Sequence, residues 1–417
     1  MPENMQKPEI LAPAGDLEKL KIAFQYGADA VYAGVPEFGM RVKEIGFNLE
    51  TLAEGIEYAH DLGKKIYITV NIFAHNEDLE KLPDFINKLV EMNPDALIVA
   101  DPGVLGVIED MKMDIPIHIS TQANVINWRA VRFWVEKVKK VERVILAREL
   151  AWEEIKEINS KLPDIETEFF VHGAMCMSYS GRCNISNYLT GRDANQGDCA
   201  QSCRWQYKVH LEEATRPGEF MAVEEDDRGS YFFNSRDLCL IKHLDKVIDT
   251  GGVSLKIEGR NKSIYYVARV TSLYRQALDL YLESPDEYQE WMQNIDDELS
   301  SITTRGYTTG FFLGDPGNSP GQAHLVNYDF RRTEKAKDFV GLVLGCEDGR
   351  VKVEARNQIK TSDKLDIMTP TGVDELKIDK FILESGEETD VVNTNTVFYF
   401  ESSRDFLVNS MIRKFRE

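Results

Sequence analysis

The chain has 417 residues, 43% hydrophobic and 29% charged, with 70 acidic against 49 basic side chains and a formal net charge of −21. That length supports two or three domains with ample core, and the charge argues against broad, non-specific nucleic-acid binding while leaving room for a local basic patch. No apolar run is long enough to span a bilayer, and residues 1–7 lack the apolar core of a signal peptide, so a cytoplasmic protein without a membrane partner is expected.

Short apolar runs alternate with amphipathic stretches through the first part of the chain. The runs are 10–12, 30–33, 66–70, 96–100, 117–119, 144–147, 169–171 and 253–257. Between them, 16–26, 49–62, 78–92, 128–138 and 152–162 carry helical periodicity, with Asp16 and Asn48 placed as N-caps. A parallel sheet is the consequence, because each crossover needs a helix. Eight such units predict a (β/α)8 TIM-like barrel, with an open doubly wound sheet as the alternative. The G-x-G-x-x-G signature of that alternative is missing after the first run.

The spacing breaks between the seventh and eighth runs. Residues from about 172 to 232 are too many for a βα loop and predict a cysteine-rich insertion, including a β-like stretch at 207–211. Helices are expected at 264–282 and 285–299, a Gly/Pro/Thr-rich loop at 305–322 and a basic linker at 331–337. Beyond it the period becomes two, at 340–344, 350–354, 364–368 and 397–400, which predicts a small all-β domain, read as a barrel. The domain reading is thus 1–330 for the barrel with its insertion, and 338–417 for the β-domain.

Five of the six cysteines fall in one stretch: Cys176, Cys183, Cys199, Cys203 and Cys239. In a reducing compartment, thiols gathered this way point to a metal, a cluster or redox chemistry rather than disulfides. Their spacing matches neither a zinc ribbon nor a ferredoxin run. Iron–sulfur, zinc and a cysteine nucleophile with His172 as base for Cys176 all remain open on spacing alone. Cys346 stands apart and reads as structural.

Catalytic groups of a barrel collect at the C-terminal ends of its strands. Those positions hold Asn71, Asp101, Gln122, Arg148 with Glu149, His172, and Lys256, Glu258 and Arg260. Together they describe a polar pocket whose cations suit a carboxylate or phosphate. Two basic patches stand out in the acidic chain. One has Arg182, Arg192, Arg204 and Lys208 interleaved with Trp205 and Tyr207, and the other has Lys256, Arg260 and Lys262. There is no H-E-x-x-H, G-x-S-x-G or Walker A loop.

The segment Glu168-Phe-Phe-Val-His-Gly-Ala-Met-Cys176-Met-Ser-Tyr-Ser-Gly-Arg-Cys183-Asn-Ile-Ser186 resembles the signature of peptidase family U32, the collagenase-like peptidases. Leu11-Ala-Pro-Ala-Gly-Asp16, Ala28-Asp-Ala-Val-Tyr-Ala-Gly34, Ser120-Thr-Gln-Ala-Asn124, Asn234-Ser-Arg-Asp-Leu-Cys239 and Leu255-Lys-Ile-Glu-Gly-Arg260 are similar to the family as well, so the resemblance covers nearly the whole chain. Within the family, the stretch from Gly191 to Trp205 looks most like the branch acting in tRNA uridine hydroxylation and its relatives acting in hydroxylation of the ubiquinone ring.

That resemblance implies oxygen-independent hydroxylation of a wobble uridine to 5-hydroxyuridine, with tRNA as partner, a 4Fe-4S cluster as cofactor and prephenate as hydroxyl source. It implies Cys176, Cys183 and Cys239 as cluster ligands with Cys199 as the fourth, Cys203 being the alternative. Lys256, Arg260 and Arg148 are then expected to hold the anion with Gln122 and Asn71 beside it, His172, Lys256 and Glu258 to be catalytic, and Trp205 and Tyr179 to stack an unpaired base. A collagenase-like peptidase is the alternative activity. A scaffold binding a partner oxidase or a second family member is a third reading.

Overall fold

The computed structural model describes residues 7–36, 46–176, 178–180, 182–183, 185–205, 210–212, 220–222, 235–314 and 336–416. Tyr207, Lys208, residues 315–322 of the expected loop and residues 331–335 of the basic linker lie outside them. The described residues fall into two compact units. One holds those of Met1–Leu20, Asp29–Asn261 and Thr304–Arg332; the other holds those of Lys21–Ala28, Lys262–Thr303 and Thr333–Glu417.

In the first unit, β1 (Glu9–Pro13), β2 (Ala30–Ala33), β3 (Lys65–Val70), β4 (Ala96–Val99), β5 (Ile117–Ile119), β6 (Val141–Ile145) and β7 (Glu166–Ala174) follow one another. Two short strands, β8 (His210–Glu212) and β9 (Phe220–Ala222), pair antiparallel. Then come β10 (Asp237–Cys239), β11 (Ser254–Ile257) and β12 (Tyr307–Thr308). Strands β1 to β7 pair in parallel in chain order, and β11 pairs in parallel with both β1 and β7. The eight therefore close into a parallel barrel, as the alternating runs require. Strand β10 lies antiparallel on the far end of β7, with Cys239 opposite His172.

The helices are α1 (Leu17–Gln25), α2 (Leu49–Asp61), α3 (Asn76–Glu91), α4 (Pro102–Asp110), α5 (Trp128–Lys137), α6 (Trp152–Lys161), α7 (Ile185–Thr190), α8 (Leu244–Asp249), α9 (Ile264–Glu283), α10 (Pro285–Met292) and α11 (Ile295–Ser300). Both expected caps form: Asp16 Oδ1 accepts from the Lys19 amide at 2.9 Å, and Asn48 closes a reciprocal box with Thr51. The stretch read as one helix over 285–299 is two, broken at Gln293 and Asn294. An asparagine there competes for backbone hydrogen bonds and favours a helix end. No described helix is long and apolar enough to cross a membrane.

The C-terminal strands are β13 (Lys337–Glu347), β14 (Arg350–Ala355), β15 (Ile359–Lys360), β16 (Leu365–Thr369), β17 (Gly372–Leu376), β18 (Phe381–Leu383), β19 (Glu388–Thr389), β20 (Val391–Val392), β21 (Val397–Glu401) and β22 (Met411–Phe415). Eight of them form one antiparallel sheet in the order β17-β16-β22-β13-β14-β21-β18-β19, and β15 pairs with β20. Val340, Val351, Val353, Ile367, Phe381, Phe398, Phe400 and Ile412 make its apolar core. In the same unit, fully buried Arg413 is held by Asp366 through two hydrogen bonds of 2.6 and 2.7 Å. A buried guanidinium is tolerable only with such a bidentate partner.

Candidate active site

Side chains alternate across a strand, so every second residue of the barrel strands points inward. Tyr67, Thr69 and Asn71 on β3 and beyond, His118, Ser120 and Gln122 from β5, Arg143 and Ile145 on β6, Glu168 and Phe170 on β7, and Ser254, Lys256 and Glu258 from β11 follow that phase. The outer members of these series line one cavity with Tyr32, Arg148, Glu149, Cys176, Ser178, Ser180, Arg260 and Phe311. The inner members form a charged floor, where barrels usually carry Val, Ile and Leu.

That floor is a network. Lys256 Nζ lies 2.6 Å from Glu168 Oε1, and both side chains are buried. Glu168 Oε2 also accepts from Arg143 Nη1 and Ser254 Oγ, each at 3.2 Å. Arg143 pairs further with Glu9, and with Glu166 at 2.7 Å; Tyr67 OH donates to Glu9 at 3.0 Å. Burial works against the Arg143 cation, but Glu9 and Glu168 outweigh it and hold its pKa above the usual arginine range. Burial, followed by the charge of Glu9, raises Tyr67. Burial pulls Lys256 below the usual lysine range against the opposing pull of Glu168. His118 packs edge-on against Tyr67 with ring centroids 4.6 Å apart, and burial drives it well below its ordinary value, assisted by Arg143 and Lys256.

Above the floor, three of the sequence-predicted cations converge. Lys256 Nζ sits 4.5 Å from the Tyr32 ring centre, and Arg260 lies over the same ring at 5.7 Å while its Nη1 donates to Thr69 Oγ1 at 2.9 Å. Arg148 stacks 3.8 Å from the centre of Phe170, with its Nη1 donating to the Ala174 carbonyl at 2.7 Å. Aromatic faces help hold these cations in place, and Lys256 is also paired with Glu168. Gly34 makes the arrangement possible: a Cβ there would stand 2.2 Å from Thr69 Oγ1 and 3.0 Å from Arg260 Nη1. On the polar side Asn71 Nδ2 donates to Gln122 Oε1 at 2.7 Å, and Arg182 Nε donates to the Gln122 carbonyl at 2.9 Å. Glu258 Oε2 accepts from the Ala174 amide at 3.3 Å, and Glu149 accepts from the Ser180 amide and hydroxyl. The close passage of β7 past Glu258 needs Gly173, whose φ is +112°.

Other predicted residues stand elsewhere. His172 is buried outside the cavity, its ring 5.5 Å from that of Tyr307. Tyr179 and Trp205 are about half exposed and do not line it. Of the five clustered cysteines only Cys176 reaches the cavity, with its Sγ 2.8 Å from Ser178 Oγ.

The thiols suit a soft metal or cluster by their chemistry, since all are unpaired by disulfides. Local contacts shape the segment that carries them: Asn195 brackets the Cys183 backbone through its amide and carbonyl, and Ser186 Oγ accepts from the Ala200 amide next to Cys199. Among the described residues no three His, Cys, Asp or Glu side chains form a group that could hold a metal ion.

Reading strand ends in sequence missed the floor. Glu168 immediately precedes the apolar run Phe169-Phe170-Val171, and Arg143 and Glu9 likewise adjoin such runs. A charge in the inward phase of a barrel strand is the signal that marks them.

Residues 15–321 match the model of peptidase family U32, and residues 335–413 match its C-terminal domain. The tRNA hydroxylation protein P of Escherichia coli K12 is 40% identical over 88% of this chain and 87% of its own length. The tRNA hydroxylation protein P1 of Bacillus subtilis is 42% identical over 88% of this chain and 84% of its own. A collagenase of Porphyromonas gingivalis is 31% identical over 75% of each chain. With the closed barrel, its cysteine-bearing segment and the antiparallel C-terminal sheet on the page, these matches establish that the chain belongs to peptidase family U32.

Proposed function

We propose that this protein hydroxylates a wobble uridine of tRNA without molecular oxygen, using prephenate as hydroxyl donor and a 4Fe-4S cluster as cofactor. The observation that carries the reading is the convergence of Lys256, Arg260 and Arg148 on one cavity that also receives Cys176. The names of the relatives from E. coli and B. subtilis agree with the tRNA assignment.

Prephenate is a dicarboxylate, and Arg260 and Arg148, each held over an aromatic ring and hydrogen-bonded to a neutral group, suit two carboxylates, with Lys256 beside them paired to Glu168. Arg260 and Arg148 supply planar donor forks, and Lys256 supplies a point charge from the floor. Asn71 and Gln122 complete the polar wall and orient the uncharged part of the anion. Glu258, just past the end of β11 and two residues beyond Lys256, is the group given proton transfer in the cavity. His172, on β7 but outside the cavity, is given no direct part in this reading.

Cys176, Cys183, Cys239 and Cys199 are the residues that would hold the cluster, with Cys203 as the alternative fourth ligand. Bound there, it supplies one-electron steps that side chains cannot perform. Tyr179 and Trp205, exposed on the same segment, are suited to stacking a splayed base.

The test is nucleoside mass spectrometry of tRNA from a strain lacking the gene, complemented with the wild type or with Cys176→Ala. Loss of 5-hydroxyuridine restored only by the wild type is expected, and unchanged tRNA in the deletion strain rejects the reading. The peptidase alternative is favoured by relatives named a collagenase and an uncharacterized protease. Cleavage of gelatin by purified protein, lost in Cys176→Ala, would replace hydroxylation by that activity.

A further inference from the structure

We infer that the exposed face of α5 is a docking surface for the phosphate backbone of the RNA substrate, separate from the barrel cavity. The inference rests on the tRNA reading above and extends it to a second contact. In a chain of net charge −21, this face is cationic and aromatic. Arg129 and Arg132 are exposed and hold their guanidinium carbons 4.7 and 4.9 Å from the centre of the Trp128 ring. Lys161 brings a third cation to 4.9 Å from the same ring while pairing with Glu157 at 2.8 Å.

Neither Arg129 nor Arg132 makes an ion pair with a carboxylate among the described residues, whereas Arg143, Arg192, Arg275, Arg305 and Arg413 all do. Spacing of three and four places Arg129, Arg132 and Phe133 on one side of the helix. Phe133 is 54% exposed and nearby Ile126 38%. Only Val131 of α5 is buried, so folding of the barrel does not explain the exposed apolar groups.

The chemistry selects a polyanion with flat apolar groups. A guanidinium stacked on an indole is pre-oriented, and its N–H edge stays available for a bidentate phosphate contact at little further entropic cost. Phe133 beside it offers a face to a base or ribose, as in single-strand RNA surfaces. None of these residues lines the cavity, so they add affinity and orientation without entering the chemistry.

The experiment measures binding of an unmodified tRNA transcript to the full-length protein by fluorescence anisotropy across a salt series. R129E/R132E is expected to bind at least about tenfold more weakly at low salt, with a salt slope smaller by about one to two. Its thermal melt and its binding of prephenate should match the wild type. R129Q/R132Q provides a smaller loss in the same direction should the charge reversal fail to fold. K377E/K380E makes the same change in net charge on exposed lysines between β17 and β18 and should cost less than about twofold. Equal affinity and slope in R129E/R132E, an equal loss in K377E/K380E, or capture of an acidic protein in place of RNA each overturns the proposal. RNA binding that depends on the arginines, in a protein that restores no 5-hydroxyuridine to the deletion strain, leaves the surface standing and rejects the hydroxylation reading instead.

Discussion

Lys256 Nζ stands 2.6 Å from Glu168 Oε1, joining β11 to β7 across the seam where the barrel closes. Glu168 has no exposed surface and also accepts from Arg143, so the ammonium at the cavity is tied through one carboxylate to a second cation in the floor. Removing one member of a buried ion pair leaves a charge without compensation, which typically costs about 3–5 kcal/mol. Glu168→Gln should therefore destabilise the protein by that order in urea unfolding. Glu168→Leu combined with Lys256→Met should recover most of the stability while abolishing prephenate binding. A double variant as unstable as the single one would show that the pair is not the source of the loss.

His118 gives the fold a pH signature. Its folded pKa is depressed well below 6.5 by burial. Below pH 6.5 the unfolded chain takes up a proton that the folded chain refuses. Stability from this group is complete above that pH and falls as the pH drops, by up to about 1.4 kcal/mol per unit. The difference in unfolding free energy between wild type and His118→Gln should shrink between pH 7 and pH 5. A constant difference would remove His118 as the cause.

Gly34→Ala tests the anion site from outside its charged groups. The added methyl would meet Thr69 Oγ1 and Arg260 Nη1, so the Thr69–Arg260 hydrogen bond must break or shift. Prephenate binding should weaken about tenfold, in line with one displaced charged contact, while the far-UV spectrum is retained. Arg148→Met should weaken it to a similar extent, and calorimetry checks both.

The cysteines separate by ligand role. After anaerobic purification, Cys176→Ala, Cys183→Ala and Cys239→Ala should each lose most bound iron and sulfide, whereas Cys346→Ala, in the other unit with its Sγ against the Phe406 backbone, should keep them. Cys199→Ala against Cys203→Ala identifies the fourth ligand: the variant that keeps its iron excludes that residue. Full iron content in all five single variants of the segment would reject a cluster on these thiols.

Much of the fold was legible because it depends on local chemistry. The apolar runs at 10–12, 30–33 and 66–70 became β1, β2 and β3 because parallel strands buried on both faces need continuous apolar sequence. Asp16 and Asn48 cap helices because a short polar side chain can reach an amide three residues on. Gln293 and Asn294 show the limit: apolar spacing ran across them, and backbone preference broke the helix there.

The sequence by itself determined the eight alternating units, the period-two C-terminal region, the crowding of five thiols into one segment and the presence of cations at strand ends. Only the tertiary structure decided which of these meet. Glu9, Arg143, Glu168 and Lys256 are far apart in the chain and become one network because β11 closes onto both β1 and β7. The same closure brings Arg148 and Arg260 to one cavity and leaves His172, Tyr179 and Trp205 outside it. Charge and hydrogen-bonding capacity are properties of single residues, whereas burial and partner distance are set by strand register, and those two quantities turn a row of polar strand ends into a site.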